Sequence, residues 1–158
     1  MSAAIARFPA GEPGRPTESV VHGRSRRHEA EDTRRRQLIE ATVEAIAELG
    51  FHGSTILEIA GRAGVSAGLV AFYFRDKNGL LEATLRWLAV QLSSNLIALQ
   101  RDAATPRDRI AAVIDATLGP AQFDRRTASV WLAFWAQVPV VPRFARIQRI
   151  YEARLLSN

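Results

Sequence analysis

Residues 55–74 read TILEIAGRAGVSAGLVAFYF, and this stretch decides the fold. Thr55, followed three positions later by Glu58, is the pattern of a capping box at the start of a helix. Gly64 then supplies a turn, and Ser66 can cap a second short helix that continues to the end of the stretch. Two short helices joined through Gly-Val-Ser are typical of a helix-turn-helix, which we predict here.

Helical periodicity extends on both sides of this motif. A helix before it is predicted to start at Asp32 or Thr33 and to end at Gly50, which acts as a left-handed cap. Further helices are predicted from after Asp76 to about Asp102, from Thr105 to Gly119, from Asp124 to Gln137 and from Arg143 to Asn158. No alternating strand pattern of useful length is present, so the sequence predicts an all-α fold. Its parts are a three-helix helix-turn-helix head at residues 32–76 and a helical regulatory domain at residues 77–158.

The N-terminal segment has a different composition. Residues 1–31 mix Pro, Gly, Ser and charge without a sustained period, so they are predicted to form a disordered basic tail. Its arginines continue into Arg34, Arg35 and Arg36, where a basic arm beside the head can contact phosphates or a minor groove. The alternative is a tail that is merely solvated. The tail lacks the apolar core of a secretory signal, so a cytoplasmic protein is expected.

Composition restricts the functional class. The formal charge of +5 favours an anionic partner such as nucleic acid. The absence of cysteine excludes disulfides, thiolate metal sites and a cysteine nucleophile. His22, His28 and His52 lie in the tail and in a turn, where none is paired with a carboxylate at helical spacing. We therefore expect no enzyme, no metal and no cofactor. No membrane span is expected either, because no apolar run approaches the roughly 20 residues that a bilayer requires.

The second helix of the motif is predicted to enter the major groove of double-stranded DNA, with its N-terminal residues near the base edges. The predicted base-reading surface is Ser66, Ala67, Gly68 and Leu69, and the predicted phosphate ligands are Thr55, Tyr73 and Lys77. Capping alone also explains Thr55 and Ser66, and Tyr73 fits a core equally well, whereas Phe74 is expected in the core. Lys77 is the sole lysine and lies at a helix start, where the helix dipole disfavours a cation, so a specific partner is expected for it.

The run GVSAGLVAFYFRDKNGLL at residues 64–81 resembles the head of the TetR family of transcriptional repressors. The resemblance continues through RRQLIEAT at 35–42, WLAFWA at 131–136 and RLLSN at 154–158. Within that family these motifs are similar to the BetI type, which responds to choline and represses glycine betaine synthesis. The resemblance implies a ligand-sensing domain after the head, choline as inducer, a homodimer and a palindromic operator.

A candidate ligand pocket follows from this resemblance. Trp131 and Trp135 lie four residues apart on one helical face, Phe134 is adjacent, and Trp87 lies on another helix. A quaternary ammonium such as choline binds to aromatic faces, so these rings can form a cage. Core filling is the alternative, and the more common role of such rings.

Two features depart from the family pattern. Ala71 stands where a hydroxylated residue is common and Phe72 where histidine is frequent, so the operator preference is not expected to carry over. The chain also ends at Asn158, before the further helices that build the family's dimer interface, so we expect a truncated regulatory domain and an incomplete dimer surface. The alternative function is a sequence-indifferent nucleic-acid-binding or helix-mediated protein-interaction module.

Overall fold

The computed structural model describes residues 18–156, which form eight helices and contain no strand, so the all-α prediction is confirmed. The helices are α1 Glu18–Gly53, α2 Ile56–Arg62, α3 Ala67–Phe74, α4 Lys77–Gln100, α5 Pro106–Leu118, α6 Pro120–Phe123, α7 Arg125–Trp135 and α8 Pro142–Leu156. Within the same residues, no single helix is long and apolar enough to cross a membrane. Only α2 and α3, as a bent pair, reach the required length and composition.

Helix α1 begins earlier than predicted. It starts at Glu18 rather than at Asp32 or Thr33, so residues 18–31 of the predicted disordered tail are helical, and residues 1–17 lie outside the described residues. Arginine, glutamate and alanine dominate residues 24–36, and these residue types have high helix propensity. Thr33 does not cap the helix; it lies inside α1 and donates its hydroxyl to the carbonyl of Glu29 at 2.8 Å. The contacts between residues group the chain into two compact units, with the boundary between Thr33 and Arg34.

The helix-turn-helix forms where the sequence predicts it. Helix α1 does not end at Gly50 as predicted: it is interrupted there and continues to Gly53, and the φ of 74° and ψ of 175° at Gly50 are not those of the predicted left-handed cap. Gly64 makes the turn between α2 and α3 with a φ of 64°. The axes of α2 and α3 are bent by 105° to each other. This angle lies within the range of about 90–120° that is usual for the motif.

Only half of the predicted capping box at Thr55 forms. The Thr55 hydroxyl accepts a hydrogen bond from the amide of Glu58 at 3.2 Å. The reciprocal bond is absent, because the Thr55 amide donates to the carbonyl of Gly53 at 2.8 Å and the Glu58 carboxylate pairs with Arg62 at 2.9 Å. A guanidinium is a stronger partner for a carboxylate than a backbone amide is, so the Glu58 carboxylate does not accept the second hydrogen bond of the capping box.

Residues 34–156 contain two hydrophobic cores. The head core consists of Leu38, Ile39, Ala41, Ala45, Ile59, Ala60, Val70, Phe74 and Leu80. The second core is built mainly from α4, α5, α7 and α8, and its largest fully buried rings are Phe134 and Phe144. Along α4, leucines spaced three or four residues apart are buried from Leu81 to Leu96, whereas Leu99 is 39% exposed. The two cores share α1 and α4, because Leu80 belongs to the head core and Ile46 to the second core. A division between head and regulatory domain near residue 76 stays a prediction.

A tight turn joins α3 to α4. Arg75 has a φ of 67° and a ψ of −54°, and the Asp76 amide donates to the Phe74 carbonyl at 2.8 Å, which makes Arg75 the centre of a γ-turn. This conformation is rare for a residue other than glycine. A Cβ at Gly79 would lie 2.2 Å from the Phe74 carbonyl oxygen. Only glycine therefore fits at position 79.

We expect Gly79→Ala to lower the free energy of unfolding by about 3 kcal/mol, since the backbone of α3 must move to accommodate the methyl group. Gly61→Ala is the matched control, because a Cβ at Gly61 meets nothing within 4 Å and alanine raises helix propensity by up to about 1 kcal/mol. Urea unfolding of both variants measures the difference. Equal stabilities would show that the turn relaxes at no cost.

Candidate functional site

Helix α3 exposes a row of small and apolar residues. Its buried side consists of Val70 and Phe74, so the prediction that Phe74 lies in the core is confirmed. Gly68 and Ala71 are exposed, and the ring of Phe72 is 76% exposed. Exposed aromatic and small side chains along one helix give a surface that a flat or grooved partner can approach closely.

The predicted base-reading residues are not equally accessible. Ser66 and Gly68 are exposed, whereas Ala67 and Leu69 are half-buried. Ser66 caps α3, because its Oγ accepts a hydrogen bond from the Leu69 amide at 3.3 Å. Its hydroxyl proton remains available for donation to a partner.

The three arginines before the head differ in their contacts. Arg35 donates from Nη1 to the Tyr73 carbonyl at 3.0 Å, and its guanidinium lies 4.8 Å from the centre of the Phe74 ring. It therefore fixes the C-terminal end of α3 against α1. Arg34 and Arg36 are exposed and bond along the same helix, to Gln37 at 2.9 Å and Glu40 at 3.0 Å. Such exposed pairs are weak, so both side chains can be redirected to a phosphate.

Tyr73 and Lys77 lie next to the turn after α3. Tyr73 is half-buried, with its ring edge-on to Phe72 at a centroid distance of 5.2 Å. The Phe51 carbonyl accepts a hydrogen bond from Lys77 Nζ at 3.2 Å, so a contact inside the chain accounts for the position of this lysine without DNA. Burial lowers the pKa of Lys77 from its usual value. This contact ties α4 to the last turn of α1, and a phosphate role for Lys77 stays a prediction.

A largely apolar cavity of about 470 Å³ lies among α4, α5, α7 and α8. Three of the four residues predicted for a ligand pocket, Trp131, Phe134 and Trp135, line it, and its role as a ligand pocket stays a prediction. Trp87 does not line it, because Leu85, Ala89 and Leu92 form the cavity-facing side of α4, and Trp87 points elsewhere and packs between the two cores.

Aromatic rings form one wall of the cavity. The Trp131 ring lies 5.9 Å from that of Trp135 and 6.3 Å from that of Tyr151, with interplanar angles of 32° and 29°. Trp131 is buried and donates from Nε1 to Gln122 Oε1 at 3.0 Å, whereas Trp135 is 52% exposed. Trp131 is therefore part of the core as well as of the cavity wall, and Trp135 belongs to the cavity rim.

Helix α8 supplies polar groups that the sequence reasoning missed. Gln148, Tyr151 and Glu152 line the cavity from one face of α8, and Gln148 Nε2 donates to Glu152 Oε1 at 2.8 Å. Gln148 Oε1 and the Tyr151 hydroxyl are buried and have no hydrogen-bond partner within the part of the chain that the structure describes. Burial raises the pKa of Tyr151 well above its usual value, so the phenol stays protonated. The spacing of these residues, three and four apart, was the available signal.

Two family models match separate parts of the chain. A family model described as bacterial regulatory proteins, tetR family, matches residues 38–84. A second model, described as BetI-type transcriptional repressor, C-terminal, matches residues 106–158. The two matches coincide with the helix-turn-helix head and with the helices that enclose most of the cavity.

Individual relatives agree with these matches. The HTH-type transcriptional regulator BetI of Escherichia coli O17:K52:H18 is 47% identical over 129 residues, which cover 79% of this chain and 65% of that protein. The chain thus spans slightly less than two thirds of the length of this curated relative.

Two solved structures are similar in fold. A transcriptional regulator from Saccharomonospora viridis, solved in complex with choline, superposes with a TM-score of 0.70 at 25% identity over 77% of this chain and 63% of that one. A transcriptional regulator from Pseudomonas aeruginosa PAO1 gives a TM-score of 0.70 at 26% identity over 78% of this chain and 60% of that one.

Proposed function

The chain belongs to the TetR family of bacterial transcriptional regulators, and from this premise we propose that it is a BetI-type repressor. It binds double-stranded DNA at a palindromic operator, and choline or a closely related quaternary ammonium weakens that binding. The genes it controls are those for choline uptake and glycine betaine synthesis. The protein acts as a regulator in the cytoplasm and not as an enzyme.

The exposed face of α3 carries the proposal. A helix with a buried side at Val70 and Phe74 leaves Gly68, Ala71 and Phe72 in water, although exposing an apolar ring brings the free protein no stability. Inserted in a major groove, small residues permit close approach and an apolar ring can contact thymine methyl groups. Ser66 at the N-terminus of α3 supplies a hydroxyl donor for a base edge or a phosphate.

Phosphate contacts set the position of this helix on the duplex. Thr55 is exposed at the start of α2, and Arg34 and Arg36 are exposed on α1, so all three can donate to phosphate oxygens. Arg35 contributes differently, since it holds the end of α3 through the Tyr73 carbonyl. We expect its loss to weaken operator binding by misplacing α3.

The cavity suits an organic cation. Its volume lies within the usual range of about 300–1,000 Å³ for ligand pockets, and it combines the rings of Trp131, Trp135 and Tyr151 with the carboxylate of Glu152. Aromatic faces attract a quaternary ammonium, and a carboxylate favours the positive charge further. The choline complex of the Saccharomonospora viridis regulator supports the choice of ligand.

A palindromic operator is read by two heads, so we propose that the functional form is a homodimer. Its half-sites are then expected about 34–36 Å apart, or a multiple of this distance. For one head alone we expect a Kd of only about 10⁻⁴–10⁻⁶ M, which is typical of non-specific DNA binding.

Competition between DNA duplexes tests the DNA-binding proposal. The protein is bound to a labelled palindromic fragment from upstream of its own gene and challenged with unlabelled palindrome or random duplex at fixed salt. We expect the palindrome to compete at least about 1,000-fold better, as specific sites usually do. Equal competition by both duplexes would favour a sequence-indifferent nucleic-acid-binding module instead.

A further inference from the structure

Two buried polar atoms on α8 point to a chemical requirement of the cavity ligand. Gln148 Oε1 and the Tyr151 hydroxyl have no hydrogen-bond partner within the described part of the chain, and both residues line the cavity. Native proteins leave few buried polar atoms unpaired, and those that remain call for an explanation. Neither atom is open to water in the ligand-free chain, but both side chains belong to the cavity lining, so a ligand that turns them toward the cavity supplies the missing partner.

The orientation of the Gln148 amide fixes which atom is left over. Its Nε2 donates to Glu152 Oε1 at 2.8 Å, and a flipped amide would place an oxygen against that carboxylate. Oε1 is therefore the unpaired atom, and it can only accept a hydrogen bond. Tyr151, one turn further along α8, holds a protonated phenol that can donate or accept.

The same cavity holds the groups that favour a cation. Trp131 and Trp135 lie in its wall at a centroid distance of 5.9 Å, and the carboxylate of Glu152 belongs to its lining. A simple tetraalkylammonium satisfies the rings and the carboxylate but offers Gln148 Oε1 no donor. An ammonium alcohol satisfies all of these groups together.

Given the proposed function, we infer that Gln148 makes the cavity selective for a quaternary ammonium that carries a free hydroxyl group. The hydroxyl donates its proton to Gln148 Oε1 and can accept a hydrogen bond from the Tyr151 phenol. Gln148 is thus a specificity-determining residue, whereas the aromatic rings supply affinity for any cation of suitable size.

Isothermal titration of the full chain with choline and with choline O-methyl ether, which lacks the hydroxyl proton, tests this inference. We expect choline to bind wild-type protein about tenfold more tightly than the ether, as the loss of one buried hydrogen bond implies. In Gln148→Met, choline is expected to bind only about as tightly as the ether does, and the affinity for the ether to stay nearly unchanged. Gln91→Met, at an exposed position of α4 outside the cavity, is the control and keeps the tenfold preference.

The possible outcomes separate this inference from the proposed function. Equal binding of choline and ether to the wild-type protein would overturn the hydroxyl requirement and leave the choline response standing. Equal weakening of both ligands by Gln148→Met would also overturn it, because a residue that only shapes the cavity acts on both. Failure of the wild-type protein to bind either ligand would overturn the inference and the proposed inducer together.

Discussion

Gly68→Glu is expected to weaken operator binding by about a hundredfold or more and to leave the fold intact. Gly68 is exposed near the start of α3, and a Cβ there meets only Ser66 Oγ, at 3.8 Å, so a longer side chain fits in the free protein. On DNA the added carboxylate lies against base edges and phosphates. Loss of the contacts to base edges reduces the free energy of binding by about 1–3 kcal/mol at each head, and two heads bind to a palindrome.

Gly68→Ala is the matched control for this prediction. Alanine adds only a methyl group without charge and should retain operator affinity within a few fold, while both variants unfold at or above the wild-type temperature because each improves on glycine in a helix. Fluorescence anisotropy on the labelled palindrome measures the affinities. Undiminished binding of a folded Gly68→Glu protein would mean that α3 does not face the DNA.

Trp135→Ala is expected to remove most of the stabilisation of the protein by choline. At about 100 times its Kd, a ligand stabilises by about 2.7 kcal/mol, which for a chain of this size corresponds to a rise in Tm of about 5–10 °C. Loss of a partly desolvated cation–π contact costs up to about 2 kcal/mol, so the rise should fall to less than half in the variant. Trp135 is 52% exposed, which makes its removal tolerable to the core.

Phe72→Ala serves as the control, since it removes another exposed ring, at the head rather than at the cavity. It should keep the full choline-dependent rise in Tm while weakening operator binding. Thermal unfolding with and without choline provides the comparison. If Trp135→Ala shows the same rise as wild type, the cavity described above is not where choline binds.

The head could be predicted from the sequence because its determinants are local. Thr55 and Ser66 cap helices that start directly after them, and Gly64 makes the turn between these helices, so each signal lies within a few residues of its effect. The start of α1 was mispredicted for a related reason. A cap at Asp32 or Thr33 is a local option that competes with continuation of the helix, and the helix-forming residues upstream favour continuation.

Tertiary contacts set the limit of the sequence reasoning. Nothing near Arg35 in the sequence indicates that it donates to Tyr73, 38 positions away, and Lys77 reaches Phe51 in the same manner. The sequence predicted only the part of the aromatic wall that lies on one helix. Trp131 and Trp135 share a helix face, but Tyr151 joins them only because α8 packs against the cavity. Spacing along one helix shows which residues share a face. It does not show which other helix packs against that face and contributes the rest of the cavity wall.

A continuous series of contacts joins the cavity to the head. Phe134 lines the cavity, and its ring lies 5.9 Å from that of Phe51 in an edge-on arrangement. The Phe51 carbonyl accepts the hydrogen bond from Lys77, the first residue of α4, which follows the γ-turn at the end of α3. A ligand that shifts Phe134 is therefore expected to act on groups next to the C-terminal end of α3.

The direct test of ligand-controlled repression is the affinity of the protein for its palindromic operator with and without saturating choline. Anisotropy titrations at constant ionic strength keep the salt dependence of DNA binding out of the comparison. Coupling between two sites of one protein typically amounts to about 1–3 kcal/mol, so we expect choline to raise the operator Kd by about 5-fold to 150-fold. An operator Kd that is unchanged by choline, in a protein whose Tm choline raises, would contradict the proposed repressor mechanism.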